Sequence, residues 1–180
     1  MTKYLKNAVG HLHTIDRHRF LVFIHCVRAG IPLQGLLHDL SKYSPTEFIS
    51  GVKYYQDGNR SPNVGERLTN GYSKAWLHHK GKNKHHFEYW LDNDSGAFSY
   101  KPVEMPVKYV IEMFCDRMAA SKVYKGEEYT NSSPLEYFKA HKYTDLMNDN
   151  THDFLEELLT MLAEKGERKT FSYIRKLNKK

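Results

Sequence analysis

Long hydrophobic runs are missing from this sequence. No apolar stretch in its 180 residues approaches the roughly 20 that a membrane-spanning helix needs, so no membrane partner is expected. The N-terminus, Met1-Thr2-Lys3-Tyr4-Leu5-Lys6, leads into no long apolar region, and no secretory signal is expected. Cysteine is scarce: Cys26 and Cys115 are the only two. They are too few for a disulfide framework, and each sits in an apolar pattern. That usage predicts reduced core thiols and a cytoplasmic protein. Low-complexity tracts, internal repeats and sustained strand-period alternation are also lacking, which leaves an all-α chain in one domain.

What is present is ordinary for a globular protein. A 40% hydrophobic share is enough, at this length, for one sizeable core. The 13 tyrosines suit half-buried positions with a wet hydroxyl. The formal charge of +6 permits an anionic ligand such as a nucleotide or nucleic acid. Much of the excess lies in the tail after Glu164, at Lys165, Arg168, Lys169, Arg175, Lys176, Lys179 and Lys180. A solvated helix end explains such a run, with nucleic-acid contact as the alternative.

Helical periodicity dominates the chain. Leu5, Val9, Leu12, Ile15, Phe20, Phe23, Ile24 and Val27 recur at three- and four-residue steps and predict a helix over 3–29, closed by Gly30 and Pro32. His11, His18 and His25 step by sevens, so they lie close to one stripe of it, drifting about 20° per heptad; His13 points elsewhere. A second helix is expected over 32–40. Ser44 reads as the N-cap of a third, with Pro45 at its first position, Glu47 completing a capping box, and Phe48, Val52 and Tyr55 on board. Residues 56–69 read as a polar surface loop.

From Ser73 a further helix is expected to carry Trp76, Leu77, His78, His79, Asn83, His85, His86, Tyr89 and Trp90, weakened at Gly81. His78 and His85 are seven apart, as are His79 and His86, so on such a helix only one of each adjacent pair can face a common site. Residues 92–102 read as a loop with a turn at Asp94-Ser95-Gly96. The helix over 105–124 has Val107, Val110, Ile111, Phe114, Cys115 and Met118 as its core stripe, with Glu112 and Asp116 sharing a nearby face. A loop over 126–133 and shorter helices over 134–141, 152–165 and 170–177 complete the chain.

Nine of the 11 histidines lie between His11 and His86. They gather around Leu36-Leu37-His38-Asp39-Leu40-Ser41-Lys42. An imidazole and a carboxylate at adjacent positions both reach one cation if the helix end unwinds there. Neutral imidazoles with carboxylates favour a divalent transition metal (Mn, Zn, Fe, Ni or Co) over calcium, and no thiolate pattern suggests a structural zinc. Such a site, with water in its open positions, suits hydrolysis of phosphate esters.

A histidine on an early helix, then His38-Asp39 closing a second, then Asp116 on a later one, resembles the HD-domain superfamily of metal-dependent phosphohydrolases. The fuller pattern is His38-Asp39-Leu40-Ser41-Lys42 with Ser44-Pro45-Thr46-Glu47-Phe48, then Trp76-Leu77-His78-His79 to Asn83-Lys84-His85-His86 and Tyr89-Trp90. It ends with Met105-Pro106 to Glu112-Met113 and Asp116. That pattern resembles an uncharacterised bacterial and phage family across residues 11–120. The resemblance implies an HD-like helical bundle with metal ligands at His18, His38, Asp39, His79, His86 and Asp116. His11 is the alternative to His18, and His78 and His85 are the alternatives to His79 and His86.

It further implies attack by a metal-bound hydroxide on a nucleotide-like phosphate ester, with Asp39 in the catalytic machinery, Lys42 steering phosphate and Glu47 acting as acid or base through water. Asn83 would orient substrate or be a plain helix-surface amide; Trp76, Tyr89 and Trp90 would be core or pocket wall. Nucleotidases, cyclic-nucleotide phosphodiesterases, alarmone hydrolases and iron oxygenases share the superfamily's scaffold, so fold does not set the reaction. Two other readings remain: a non-catalytic module gripping nucleotide or nucleic acid through Lys42 and the basic tail, and a di-iron oxygenase in which His79 and His86 join a two-metal centre.

Overall fold

In a computed structural model, which describes residues 2–96, 99–141 and 146–177, the Thr2 hydroxyl accepts from the Leu5 amide and opens helix α1 (Lys3–Ala29). Gly30, at φ 85°, closes it in the left-handed conformation that glycine adopts without strain. There follow α2 (Pro32–Leu37), a 3-10 turn (Leu40–Tyr43), α3 (Pro45–Lys53), α4 (Pro62–Asn70) and α5 (Lys74–Lys82). After a second 3-10 turn (Phe87–Trp90) come strands β1 (Leu91–Asn93) and β2 (Tyr100–Pro102), then α6 (Val107–Lys125), α7 (Ser133–Ala140) and α8 (Asp149–Leu177). The architecture is an all-α bundle with one small antiparallel hairpin, in register Leu91↔Pro102, Asp92↔Lys101 and Asn93↔Tyr100.

The core lies where α1, α6 and α8 meet, around Val22, Cys26, Ile111, Phe114, Met118, Leu158 and Ile174. Burial of each large side chain there stabilises the fold by about 1.5–3 kcal/mol. Cys26 and Cys115 are free thiols inside it. Among the described residues no helix is long and apolar enough to cross a membrane.

Several elements differ from their expected form. The buried face of α1 is not the leucine-rich stripe; it is His11, Ile15, His18, Val22, His25, Cys26 and Ala29, while Leu5, Val9, Phe20 and Val27 are exposed. Hydropathy ranked the aliphatic stripe above the imidazoles, but Asp116 on α6 and Asp39 after α2 satisfy His18, and Lys122 and the Cys115 carbonyl on α6 satisfy His25. α2 stops at Leu37, and Tyr55 lies beyond the end of α3. The stretch 56–69 holds most of α4, whose Glu66 carboxylate accepts from the Ser73 hydroxyl (2.6 Å) and the Ala75 amide (3.2 Å) and so anchors the start of α5.

The helix expected across Trp90 breaks at Asn83, which takes an extended conformation as the C-cap of α5. Val107 is exposed at the start of α6. α8 is two helices joined at a kink at Gly166 (φ 74°, ψ 168°), a backbone region open essentially to glycine alone, so the expected break between the last two helices falls at that glycine. Lys165, Arg168, Lys169, Arg175 and Lys176 are exposed on that helix; Lys179 and Lys180 lie outside the described residues.

Close approach positions the first half of the chain. A Cβ at Gly35 would stand 2.6 Å from Cys26 Cβ and 2.9 Å from Phe23 Cα, so α2 sits directly on the α1 backbone. A Cβ at Gly51 would run into the His11 ring, 1.9 Å from Nε2, so α3 lies equally close.

Candidate metal centre

The centre is built on the turn after α2. His38 caps that helix with φ −54° and ψ 130°, and Asp39 follows in the left-handed region at φ 55° and ψ 26°. A non-glycine residue there is uncommon, though aspartate tolerates it better than most. The turn is clamped from α1. Arg19 donates from Nε to the His38 carbonyl (2.8 Å), from Nη2 to the Leu36 carbonyl (3.1 Å) and from Nη1 to the Tyr43 hydroxyl (3.0 Å). Tyr43 in turn donates to Asp16 Oδ1 at 2.5 Å. Carbonyls that α2 leaves open at its end are thus satisfied, and His38 and Asp39 are held facing α1 and α6.

Donor atoms converge there in three groups, two of which share Asp39 and the third of which is His38, His85 and Glu112. In the first, His18, His38, Asp39 and Asp116 each bring one atom within 4.8 Å of the others. His18 Nε2 is 3.0 Å from Asp116 Oδ1 and 3.7 Å from Asp39 Oδ2. His38 Nε2 is 3.3 Å from Asp39 Oδ2, 3.6 Å from Asp116 Oδ1 and 3.4 Å from His18 Nε2. In the second, Asp39, His79, His85 and His86 meet the same distance limit. Asp39 Oδ1 lies 3.3 Å from His79 Nε2 and 3.5 Å from His85 Nε2. Asp39 is therefore common to both, one oxygen facing each.

The break at Asn83 makes the second group possible. On a continuous helix His85 and His86 would point about 100° apart; with α5 ended, both rings turn inward, 4.2 Å centroid to centroid. Both histidines of this pair thus reach the group, whereas His78 stands apart from it, half-buried on Glu47.

Carboxylates behind the rings set their orientation. Glu112 Oε1 accepts from His38 Nδ1 (2.9 Å) and His85 Nδ1 (3.2 Å). Glu47 accepts from His79 Nδ1 (2.8 Å) and His78 Nδ1 (2.7 Å). Protons on Nδ1 turn the Nε2 atoms of His38, His79 and His85 toward Asp39, an arrangement that typifies metal-binding histidines. Glu47 thus faces two imidazoles, and its carboxylate is only 6% exposed. The Ser44 cap on α3 forms, with Glu47 N 3.5 Å from Ser44 Oγ, but the Glu47 side chain leaves the capping box for the imidazoles.

Charge and burial act against each other throughout. Burial opposes a charged His38, yet the charge of Asp39, together with the imidazole's own hydrogen bonds to Asp116, Asp39 and Glu112, outweighs it and holds the imidazole well above its usual range. Burial would raise Asp39 and Asp116, but His38, Lys42 and His79 around the first, and His18 and His38 around the second, keep both well below the usual carboxylate range. Burial, then His85 and His79, push His86 well below its ordinary value. Burial, then Lys42, also lowers His18. Lys42 Nζ sits 2.7 Å from Asp39 Oδ2 with its side chain 30% exposed.

The donor set passes a direct test of fit. Asp39 Oδ1, His85 Nε2 and His86 Nε2 are buried and make no hydrogen bond, and all three belong to the second group. A buried polar atom without a partner costs about 1–3 kcal/mol. Three together, of types that bind transition ions, match a shared cation as the missing partner. These buried groups can hold a metal ion.

Other sequence candidates lie elsewhere. His11 packs against Phe48 and Tyr55, with ring centroids 5.5 and 6.0 Å away, and joins neither group, so His18 is the histidine that α1 supplies. His25 is buried beside Lys122 and Cys115. Asn83 donates to Ser41 Oγ (2.8 Å) and the His79 carbonyl (2.8 Å), which ties α5 to the His38–Asp39 turn rather than freeing the amide for a ligand. Trp76 walls the site, with ring centroids 4.9 Å from His86 and 5.7 Å from His79. Trp90 donates to the Lys84 carbonyl at 2.8 Å and packs on Tyr109, and Tyr89 is exposed. Sequence reading passed over Arg19 as a clamp, Glu112 as the shared acceptor and the joint use of His85 with His86. Only Glu112 carried a usable hint, its i,i+4 spacing from Asp116.

Residues 7–161 match a sequence family described as Family of unknown function (DUF5662). No curated protein and no solved structure matches the chain.

Proposed function

The chain belongs to DUF5662, and from the chemistry of the centre we propose that it is a metal-dependent phosphohydrolase acting on a nucleotide-like phosphate ester. The observation that carries the reading is the pair of donor groups sharing Asp39. Two-metal sites of mixed imidazole and carboxylate recur in phosphoester hydrolysis, because bound ions lower the pKa of water and polarise the phosphoryl oxygen. His18, His38, Asp39 and Asp116 would hold one ion, and Asp39, His79, His85 and His86 the other. The order His18, His38-Asp39, Asp116 along the chain, which resembles the HD-domain pattern, supports the same reading.

The remaining residues supply orientation and charge. Glu112 and Glu47 hold three imidazoles with their Nε2 atoms inward. Each group has one half-buried donor, Asp116 in the first and His86 in the second, and Lys42, with its side chain 30% exposed, lies on the Asp116 side. An anionic substrate would therefore approach from the Asp116 and Lys42 side, where the ammonium meets its phosphate. The test is turnover of a generic phosphodiester and a nucleotide panel by protein reloaded with each of Mn, Zn, Fe, Ni and Co. Asp39→Ala removes the shared carboxylate and is expected to abolish activity. Phosphatase activity that survives this change would place the chemistry elsewhere.

The shared carboxylate and the three-imidazole group also favour a second reading, oxygen chemistry at a di-iron centre. Iron that alone supports the protein's activity, with oxygen consumed and no phosphate released, would select it.

A further inference from the structure

Lys42 occupies an unusual place. The 3-10 turn after Asp39 brings it back over the site, where its ammonium lies 2.7 Å from Asp39 Oδ2. That is the oxygen facing His18 and His38; the other, Oδ1, faces His79 and His85 and has no hydrogen bond. The two groups are thus unequal before any metal arrives. The first already has a cation on its shared oxygen and a 3.0 Å contact between His18 and Asp116. The second has three donor atoms without a hydrogen bond, and its Asp39 oxygen meets only the imidazoles of His79 and His85, with no lysine or arginine of the described residues on it.

Resting on the two-group reading above, we propose that Lys42 is a tethered cation that competes with the metal of the His18–His38–Asp39–Asp116 group, so that the two groups fill in order. The His79–His85–His86 group takes the first ion, because no bond has to be broken there. The first group takes its ion only when Lys42 leaves Asp39, and the released ammonium is then free to meet an anionic phosphate. An occupied ammonium site and a divalent ion on the same carboxylate oxygen repel each other, since two cations that close together are screened only weakly away from bulk water. Lys42 thereby couples the second metal to substrate: an anion that draws the ammonium away favours loading.

The test is a Zn2+ titration of the full-length, chelator-stripped chain, read by calorimetry and by elemental analysis after dialysis at defined free Zn2+. The wild-type chain is expected to bind two ions in separate steps. Lys42→Met should tighten the second step tenfold or more and leave the first within about threefold; Lys42→Arg, which keeps the charge, should behave as wild type. His85→Gln should remove the tight step and Asp116→Asn the weak one. Inorganic phosphate should tighten the second step in the wild type and not in Lys42→Met. A second step unchanged in Lys42→Met, or one equally tightened in Lys42→Arg, overturns the competition while leaving the two-group reading standing. Zn2+ uptake that ignores both His85→Gln and Asp116→Asn overturns both.

Discussion

Replacing Glu112 separates orientation of the rings from ligation itself. Its Oε1 accepts from His38 Nδ1 at 2.9 Å and His85 Nδ1 at 3.2 Å, one ring from each donor group. Glu112→Leu removes the acceptor that both rings share, so each imidazole can swing or move its proton to Nε2, the atom needed for metal. Loss of such an orienting partner typically lowers metal affinity 10–100-fold, or about 1.4–2.7 kcal/mol. Because one carboxylate serves both groups, both Zn2+ steps should weaken. Glu112→Gln keeps an oxygen acceptor but loses its charge, and charge-assisted hydrogen bonds are roughly twice as strong as neutral ones; its loss should stay below about tenfold. Of the imidazoles Glu47 bonds His79 and the outlying His78, so Glu47→Gln should weaken one step and spare the other. Competition against a chromophoric chelator resolves the steps, and urea unfolding of the metal-free proteins shows that each variant is folded. Wild-type affinities in Glu112→Leu, or the same pattern from Glu47 and Glu112 variants, would refute the assignment of these carboxylates.

Zinc at 100 times its dissociation constant should stabilise the chain by about 2.7 kcal/mol, a rise of about 5–10 °C in Tm at this size, reversed by chelator and absent in Asp39→Ala. Arg19→Ala strips three hydrogen bonds from the His38–Asp39 turn and its tyrosine brace; it should cost about 2 kcal/mol in urea unfolding and loosen metal. Gly35→Ala sets a methyl 2.9 Å from Phe23 Cα, which cannot move aside, so α2 should lift from α1 at a cost of about 1–3 kcal/mol by the same assay. His25 is held neutral to about pH 4 by burial and then Lys122, against 6.5 when free. The unfolded chain therefore binds more protons between those values, and stability falls as pH drops from 6.5 to 4, by up to about 3 kcal/mol. His25→Gln should narrow its stability gap to wild type across that window; a gap independent of pH would refute the link.

The His25 network shows how much of the interior is polar. Lys122 can only donate, so its 3.1 Å contact makes His25 Nε2 an acceptor and leaves Nδ1 to donate to the Cys115 carbonyl at 3.3 Å. Lys122 also holds Glu167 at 2.7 Å, and Glu167 pairs with Arg28. α1, α6 and the segment of α8 after its kink are thereby joined by charge as well as by packing.

Periodicity and punctuation are local properties, and wherever they govern the chain the structure follows them. Gly30, Ser44-Pro45 and Ser73 mark helix ends where they were read, and the three-to-four spacing of Val110, Ile111, Phe114 and Met118 marks the buried face of α6. The grouping of His38, Asp39 and Asp116 with a histidine on α1 was legible through the resemblance of their order to the HD-domain pattern. Tertiary contacts decided the rest. Which side of α1 faces inward was settled by partners from distant segments: Asp39 and Asp116 for His18, the Cys115 carbonyl and Lys122 for His25. Asn83, a residue that helices accept only reluctantly, ends α5 by bonding Ser41, some forty positions away, and so brings His85 and His86 in together. Asp39 faces two ways because an arginine from α1 holds its turn in a left-handed conformation. None of these partners is near in sequence, and a hydrogen bond across the fold leaves no period in the chain by which to read it.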